Sequence, residues 1–276
     1  MIEREIARRQ FKTLVESGED IDLSLAALLI AKEEYLDLNI AKYLEILDNM
    51  AMELKSRIAQ LSRPEDIVTS ISQYLFYEKG FRGNHKNYYD PRNSFLNDVL
   101  DRKLGIPITL SLIYMELGRR LGVPIVGVGL PGRFLIRHTG AADGQFIDTF
   151  QDGSPIGIDH CKQLVDTIYG GKLSFRDELL NPVGRVDILR RVLNNLKAIY
   201  ISKGDSRRAL AVLERLVIIS PNSTEELRDR GLFYLRVHAY AQALMDLSRY
   251  LHNTPYGPDH QQIQSIVDLL TRQRLN

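Results

Sequence analysis

A repeat in the last third of the chain constrains its fold more tightly than any other feature. The segments "NLKAIYISKGDSRRALAVLERLVIISPNS" (Asn195–Ser223) and "DRGLFYLRVHAYAQALMDLSRYLHNTPYG" (Asp229–Gly257) align at a constant offset of 34 residues. Tyr200 falls on Tyr234, Ala209 on Ala243, Leu210 on Leu244, Leu213 on Leu247, Arg215 on Arg249 and Pro221 on Pro255. That period is one helix–turn–helix unit of the tetratricopeptide type. Tyr and Ala sit where the two helices of such a unit pack, and Pro closes it. Gly204-Asp205 supplies the internal turn of the first unit, and His238-Ala239 stands there in the second. Two units alone leave an apolar end uncovered. The last helix, "DHQQIQSIVDLLTRQRLN", and the segment before Asn195 are expected to cap or dock them.

The preceding residues mix helix with strand. Leu23–Leu38 is apolar at helical spacing, and Asn39 is a good N-cap for the next helix. There Ile40, Tyr43, Leu44, Leu47, Met50, Leu54 and Ile58 form an i, i+3, i+4, i+7 stripe. A third helix has Pro64 near its start and Gly80 at its end. After the loop "FRGNHKNYYDPRN", Asp90-Pro91 suits a helix start, and "SFLNDVLDRKLG" closes on Gly105. The helix from Pro107 to Gly122 is apolar nearly all round, which marks it as central and buried. "VPIVGVGL", "RFLIRH" and "GQFIDTF" read as strands, the last two as an antiparallel pair. "GIDHCKQLVDTIYG" reads as a helix ending at Gly170. The fold class is α+β over residues 1–180, followed by an all-α domain over residues 181–276.

Charge and cysteine content exclude several functions. The formal net charge is +1, so the whole molecule gives no argument for nucleic acid or membrane binding. From Asn181 onward 14 Lys/Arg face 9 Asp/Glu, but this basic tail carries no nucleic-acid motif. A single cysteine, Cys161, rules out an intramolecular disulfide and a Cys-rich metal site. No motif calls for a cofactor. The amino-terminal "MIEREIARRQFKTL" has no apolar signal core, and no run reaches the roughly 20 apolar residues of a membrane helix. A cytoplasmic location is the expectation.

The order of helices, "GIPITLSLIYMELGRRLGVPIVGVG", strand, "FIDTF" and tetratricopeptides resembles the bacterial SirB-type family, in which a transglutaminase-like domain is fused to a tetratricopeptide tail. The resemblance covers nearly the whole chain. It implies a papain/transglutaminase-like first domain: a helical N-terminal part, a central buried helix and a small antiparallel sheet. Enzymes of that type carry Gly-x-Cys at the head of the core helix, "Leu-Gly-x-Pro" about fifteen residues later, a His on one strand and an Asp on the next. Here Gly105-Ile106-Pro107 falls on Gly-x-Cys and "RLGVP" fits the later motif, so Pro107 stands at the cysteine position. Arg133 stands where the histidine belongs, in "PGRF" where the resemblance implies Gly-His-Phe. Asp148 alone matches, on the acid.

Chemistry explains what these changes remove. A helix N-terminus lowers a thiol's pKa through its dipole and free N–H groups. Proline is equally comfortable there, having no N–H to leave unpaired. A guanidinium stays protonated, so Arg133 cannot act as a base; it can pair with Asp148 instead. Thr109 and Ser111 near the helix head lack a base placed by sequence, and read as buried hydroxyls bonding the preceding turn. His138 falls on the opposite strand face from Arg133 and reads as a surface residue at a strand end. His160 and Cys161 are adjacent on a helix and do not face each other, so Cys161 reads as a half-buried thiol. His85, Tyr88 and Tyr89 in the loop read either as aromatics packed over the core helix or as the rim of a binding cleft above Arg133. One His with Asp90 is no metal site.

Two functions stay open on the sequence. One is a non-catalytic protein that binds a protein or peptide partner, with the tetratricopeptide groove as the docking surface. The other is a hydrolase or acyltransferase on peptide amides with an unidentified nucleophile.

Overall fold

The computed structural model describes residues 2–18 and 21–275. The chain divides into two compact units, Met1–Val192 and Leu193–Asn276.

The first unit opens with α1 (Ile2–Glu16), α2 (Leu23–Lys32), α3 (Ile40–Ile58) and α4 (Pro64–Ser72). Asp22 and Asn39 cap α2 and α3. Their side chains accept from the N–H groups of Leu25 (2.9 Å) and Lys42 (3.2 Å), donors that the helix itself leaves unpaired. Of the α3 stripe, Tyr43, Leu47, Met50, Leu54 and Ile58 are buried, while Ile40 and Leu44 are only half-buried. The helix from Pro64 does not stay α-helical to Gly80. Gln73–Glu78 forms a π-helical turn, with Tyr74, Leu75 and Phe76 buried.

The stretch expected as one helix from Asp90 to Gly105 is broken. After β1 (Arg82–Gly83), Asp90 caps a 3-10 turn at Pro91–Asn93, and α5 covers only Leu96–Arg102. Lys103, in the left-handed region at φ 59, ends α5 and leads into β2 (Leu104–Gly105), which pairs in parallel with β1. Gly105 therefore belongs to a strand and does not close the helix.

Next comes α6 (Pro107–Leu121), buried from Pro107 through Gly118 and stopped by Gly122 at φ 72. This is the apolar-all-round helix of the sequence, enclosed as that pattern requires. The sheet is antiparallel throughout, in the order β3 (Ile125–Val128), β4 (Leu135–His138), β5 (Phe146–Asp148) and β6 (Ser154–Ile156). Ile136 pairs with Ile147, which fixes the β4–β5 register. The fourth strand, β6, has no counterpart in the sequence reading; "SPI" is too short to show alternation. α7 (Ile158–Tyr169) closes over the sheet. Its Cys161 and Val165 join Val128, Leu130, Leu135, Phe146 and Leu180 in one apolar cluster.

α8 (Arg185–Ser202) contains the division between the two units. The second unit continues with α9 (Ser206–Ile219), α10 (Thr224–Arg236), α11 (Tyr240–Asn253) and α12 (His260–Leu275). Tyr200, Ala209, Leu213, Ala243 and Leu247 of the repeat are buried, and Tyr234 is half-buried. Gly231 lets α10 approach α11 closely; a Cβ there would lie 2.6 Å from Leu247 Cδ2. α12 packs on α11, with Ile263 against Leu247, Tyr250 and Leu251. Among the described residues no helix is long and apolar enough to cross a membrane.

Candidate functional site

The head of α6 and the ends of β4 and β5 supply the candidate residues. Pro107 occupies the first turn of α6, following Ile106 in extended conformation. Its carbonyl accepts from Thr149 Oγ1 (3.2 Å), so the residue after Asp148 touches the helix head directly. Thr109 is a local brace. Its Oγ1 accepts from the Ile106 N–H (3.1 Å) and donates to the Asn93 carbonyl (2.7 Å). Ser111 bonds Thr149 Oγ1 at 2.8 Å, across to the turn after β5 and not to the preceding turn of its own helix. Both hydroxyls are fully enclosed, and among the described residues no imidazole bonds either of them.

Arg133 lies on the turn entering β4, just outside the strand proper. Asp148 is the last residue of β5, buried to 1% exposure. Arg133 Nε and Asp148 Oδ2 are 3.2 Å apart. Their alignment is poor, however, and both atoms are buried without a true hydrogen bond. Asp148 Oδ1 is better served, accepting from the Phe150 N–H at 2.9 Å. Burial pushes the Asp148 carboxyl up; the Arg133 charge, the N–H groups of Phe150 and Gln151, and His160 work against that rise. The pairing expected from the sequence is therefore present as an ion pair, and absent as a hydrogen bond.

Two of the loop aromatics, His85 and Tyr88, pack on Phe150. The His85 ring lies 4.2 Å from the Phe150 ring, and Tyr88 meets it edge-on at 5.8 Å. The Arg133 guanidinium stacks over the same ring at 5.2 Å. Tyr89 lies 5.3 Å from Tyr88 and is mostly exposed. Gly83 permits this packing, because a Cβ there would sit 2.7 Å from the Phe150 ring and carbonyl. Sequence reasoning missed Phe150 and Arg191. Arg191 Nη2 donates to the carbonyls of Leu130 (2.9 Å) and Arg133 (2.7 Å), pinning the turn that carries Arg133. Burial lowers the Arg191 pKa, with Tyr88 and Tyr169 opposing. Nothing in the sequence separates Arg191 from the solvated arginines of the same helix. Phe150 was legible only as the apolar residue after "IDT".

Two other candidates need correction. His138 is not a surface residue. It is 9% exposed, and its Nδ1 accepts from the Gly140 N–H at 2.9 Å. Cys161 is fully buried and not half-buried, because the helix face it occupies turns into the cluster beneath the sheet. Burial, reinforced by the Asp148 charge, pushes its thiol up to about 11. We therefore expect no alkylation of Cys161 by iodoacetamide at neutral pH in the native protein and full alkylation after denaturation, read by intact mass. Fast native labelling would contradict the burial described.

A cavity of about 730 Å³ lies at the other end of α6, between Met115, Arg119, the edge strand β3 and Val183. It includes neither Arg133 nor Asp148. Among the described residues no three His, Cys, Asp or Glu side chains converge as metal ligands would.

Comparison with known proteins agrees with this geometry. Residues 41–194 match the model of the transglutaminase-like superfamily, and residues 196–268 match a tetratricopeptide repeat model. A UPF0162 protein of Xylella fastidiosa is 38% identical over 241 residues, 86% of this chain and 85% of its own length. A UPF0162 protein of Pseudomonas aeruginosa is 29% identical over 230 residues, 82% of each. Human F-box only protein 21 is 31% identical over 118 residues, 40% of this chain and 19% of its own length. With a core helix enclosed by helices on one side and an antiparallel sheet on the other, and helical repeats after it, the chain belongs to the transglutaminase-like superfamily and carries its domain ahead of tetratricopeptide repeats.

Proposed function

We propose that this is a non-catalytic transglutaminase-like protein of the cytoplasm that binds a protein or peptide partner, its tetratricopeptide groove serving as a docking surface. The observation that carries the reading is which residues stand at the head of α6 and beside the end of β5. Pro107 stands at the head of α6, where a nucleophilic thiol would be placed, and Arg133 stands against Asp148, where an imidazole would be. A cation that never loses its proton takes the place of a base. The neighbouring hydroxyls of Thr109 and Ser111 are spent on structural bonds, and a nucleophile needs a base beside it. Tetratricopeptide repeats as a class mediate protein–protein interaction, which supports the second half of the reading.

The test is labelling of the full chain with thiol-directed and hydroxyl-directed acylating probes, together with capture of partners from the native cell. We expect no stoichiometric adduct in the native state. We also expect a captured protein that a chain ending at Val192 loses. Labelling of one cleft residue, abolished by denaturation, would overturn the non-catalytic reading. Equal capture by the shortened chain would remove the repeats from the interaction.

A further inference from the structure

The polar groups at the turn before β4 do not balance. Arg133 donates no side-chain hydrogen bond: its Nε is buried and unpaired, and its terminal nitrogens meet no acceptor among the described residues. Arg191 has no carboxylate partner among the described residues either, and bonds only two carbonyls. Among the described residues, these two guanidiniums at one turn thus have a single carboxylate in ion-pair contact, Asp148, and it meets Arg133 alone. A buried cation without its full set of acceptors is costly, so the excess charge marks a place for an anion. The stack on Phe150 and the contact with Asp148 hold the guanidinium from one face and one edge. The edge bearing the two terminal nitrogens stays free.

We propose that Arg133, held by Phe150 and Asp148 on a turn pinned by Arg191, is a binding site for a carboxylate carried by a peptide. The ligand chemistry follows from shape and charge. A planar guanidinium edge takes both oxygens of a planar carboxylate in two parallel N–H···O bonds. One unbalanced positive charge matches one carboxylate, whereas a phosphate near neutral pH brings nearly two negative charges. Tyr88 and His85 lie on the same Phe150 ring that Arg133 stacks over, and Tyr89 lies exposed beyond Tyr88, so an apolar neighbour of the carboxylate has rings to pack on. The proposal rests on the reading of this cleft as a binding surface and not a reaction centre. The carboxylate belongs either to a chain terminus or to an acidic side chain, and the two are separable by experiment.

Amide NMR of the full chain tests it with four probes: N-acetyl-phenylalanine, N-acetyl-glutamic acid α-amide, N-acetyl-phenylalaninamide and inorganic phosphate. We expect saturable shifts at residues 130–134 and 148–151 from at least one of the two acids, and none from the phenylalaninamide. The first acid responding alone identifies a chain terminus, and the second alone a side chain. Arg133→Lys keeps the charge and loses the planar fork, and should weaken binding at least about tenfold. Arg133→Gln with Asp148→Asn removes both charges of the pair together and strands neither partner, so it should stay folded and lose binding entirely. Equal shifts from the acid and its amide, tighter binding of phosphate, or acid binding retained by the double variant would each overturn the site. Mass spectrometry of the same samples separates the two readings. Cleavage of a probe amide or a covalent adduct would sink the non-catalytic reading alone. Silence from both acids without turnover would sink the carboxylate site alone.

Discussion

Arg230→Met is expected to cost the second unit about 3–5 kcal/mol, the range for removing one partner of a buried ion pair. Arg230 on α10 meets Asp246 on α11 fork to fork, Nε to Oδ2 at 2.6 Å and Nη2 to Oδ1 at 2.8 Å. Asp246 is 2% exposed, so methionine would leave its carboxylate buried with neither bond. The two helices meet at Gly231, one residue away, with too little room to admit solvent without separating. A domain's whole stability is about 5–15 kcal/mol, so the loss is a large share of what holds these repeats together. Urea unfolding followed by circular dichroism should show the transition of the second unit moving down by about 1–5 M. Arg230→Met combined with Asp246→Leu should recover most of the loss, because a buried pair replaced by apolar groups is often neutral. A single variant as stable as the parent would mean that Asp246 finds another partner.

The parts of this fold that were legible in the sequence are those whose physics is periodic. The repeat showed itself because Ala209 and Ala243 must both be small, and both are fully buried. The core helix showed itself because twelve residues in a row from Pro107 are buried, which leaves no polar face. Asp148 was legible through the resemblance, as the residue of "FIDTF" that falls on the acid position. What escaped was non-periodic. The π-helical turn at Gln73–Glu78 keeps an apolar pattern that an α-helix also fits. β1, β2 and β6 are two or three residues long, too short for alternation to appear. Arg191 escaped for another reason. An arginine that pins a turn through two carbonyls and one in solvent look alike in a sequence, because the acceptors lie some 60 residues away, at |i−j| of 61 and 58. His138 escaped similarly, its burial depending on the Gly140 turn folding back onto the ring.

Arg133→Met should have the opposite partner test from Arg230→Met, and the contrast bears on why the pair exists. Alone, the substitution strips Asp148 of the one cation in ion-pair contact with it among the described residues, and about 3–5 kcal/mol of stability at neutral pH should go with it. The pH dependence has a definite sign. Burial already places the Asp148 carboxyl above the ordinary carboxylate range, and losing Arg133 raises it further. A carboxyl raised by folding penalises the native state wherever it is ionised, so the deficit is full above the raised native pKa. It shrinks as pH falls through that value toward the unfolded one, where both states are protonated. Thermal unfolding at stepped pH should therefore show the variant approaching the parent on acidification. Arg133→Met with Asp148→Asn is expected to do more than recover the loss. Asparagine keeps the acceptor for the Phe150 N–H, while the two misaligned buried atoms, Arg133 Nε and Asp148 Oδ2, disappear as charges. That replacement should stabilise the first unit by about 1–4 kcal/mol over the parent, whereas the corresponding change at Arg230 and Asp246 should only break even. An ion pair whose removal stabilises the protein is held for something other than stability, and at this turn the unused guanidinium edge is what that something would engage. A double variant less stable than the parent would make Arg133 and Asp148 an ordinary structural pair and would withdraw that argument for a ligand.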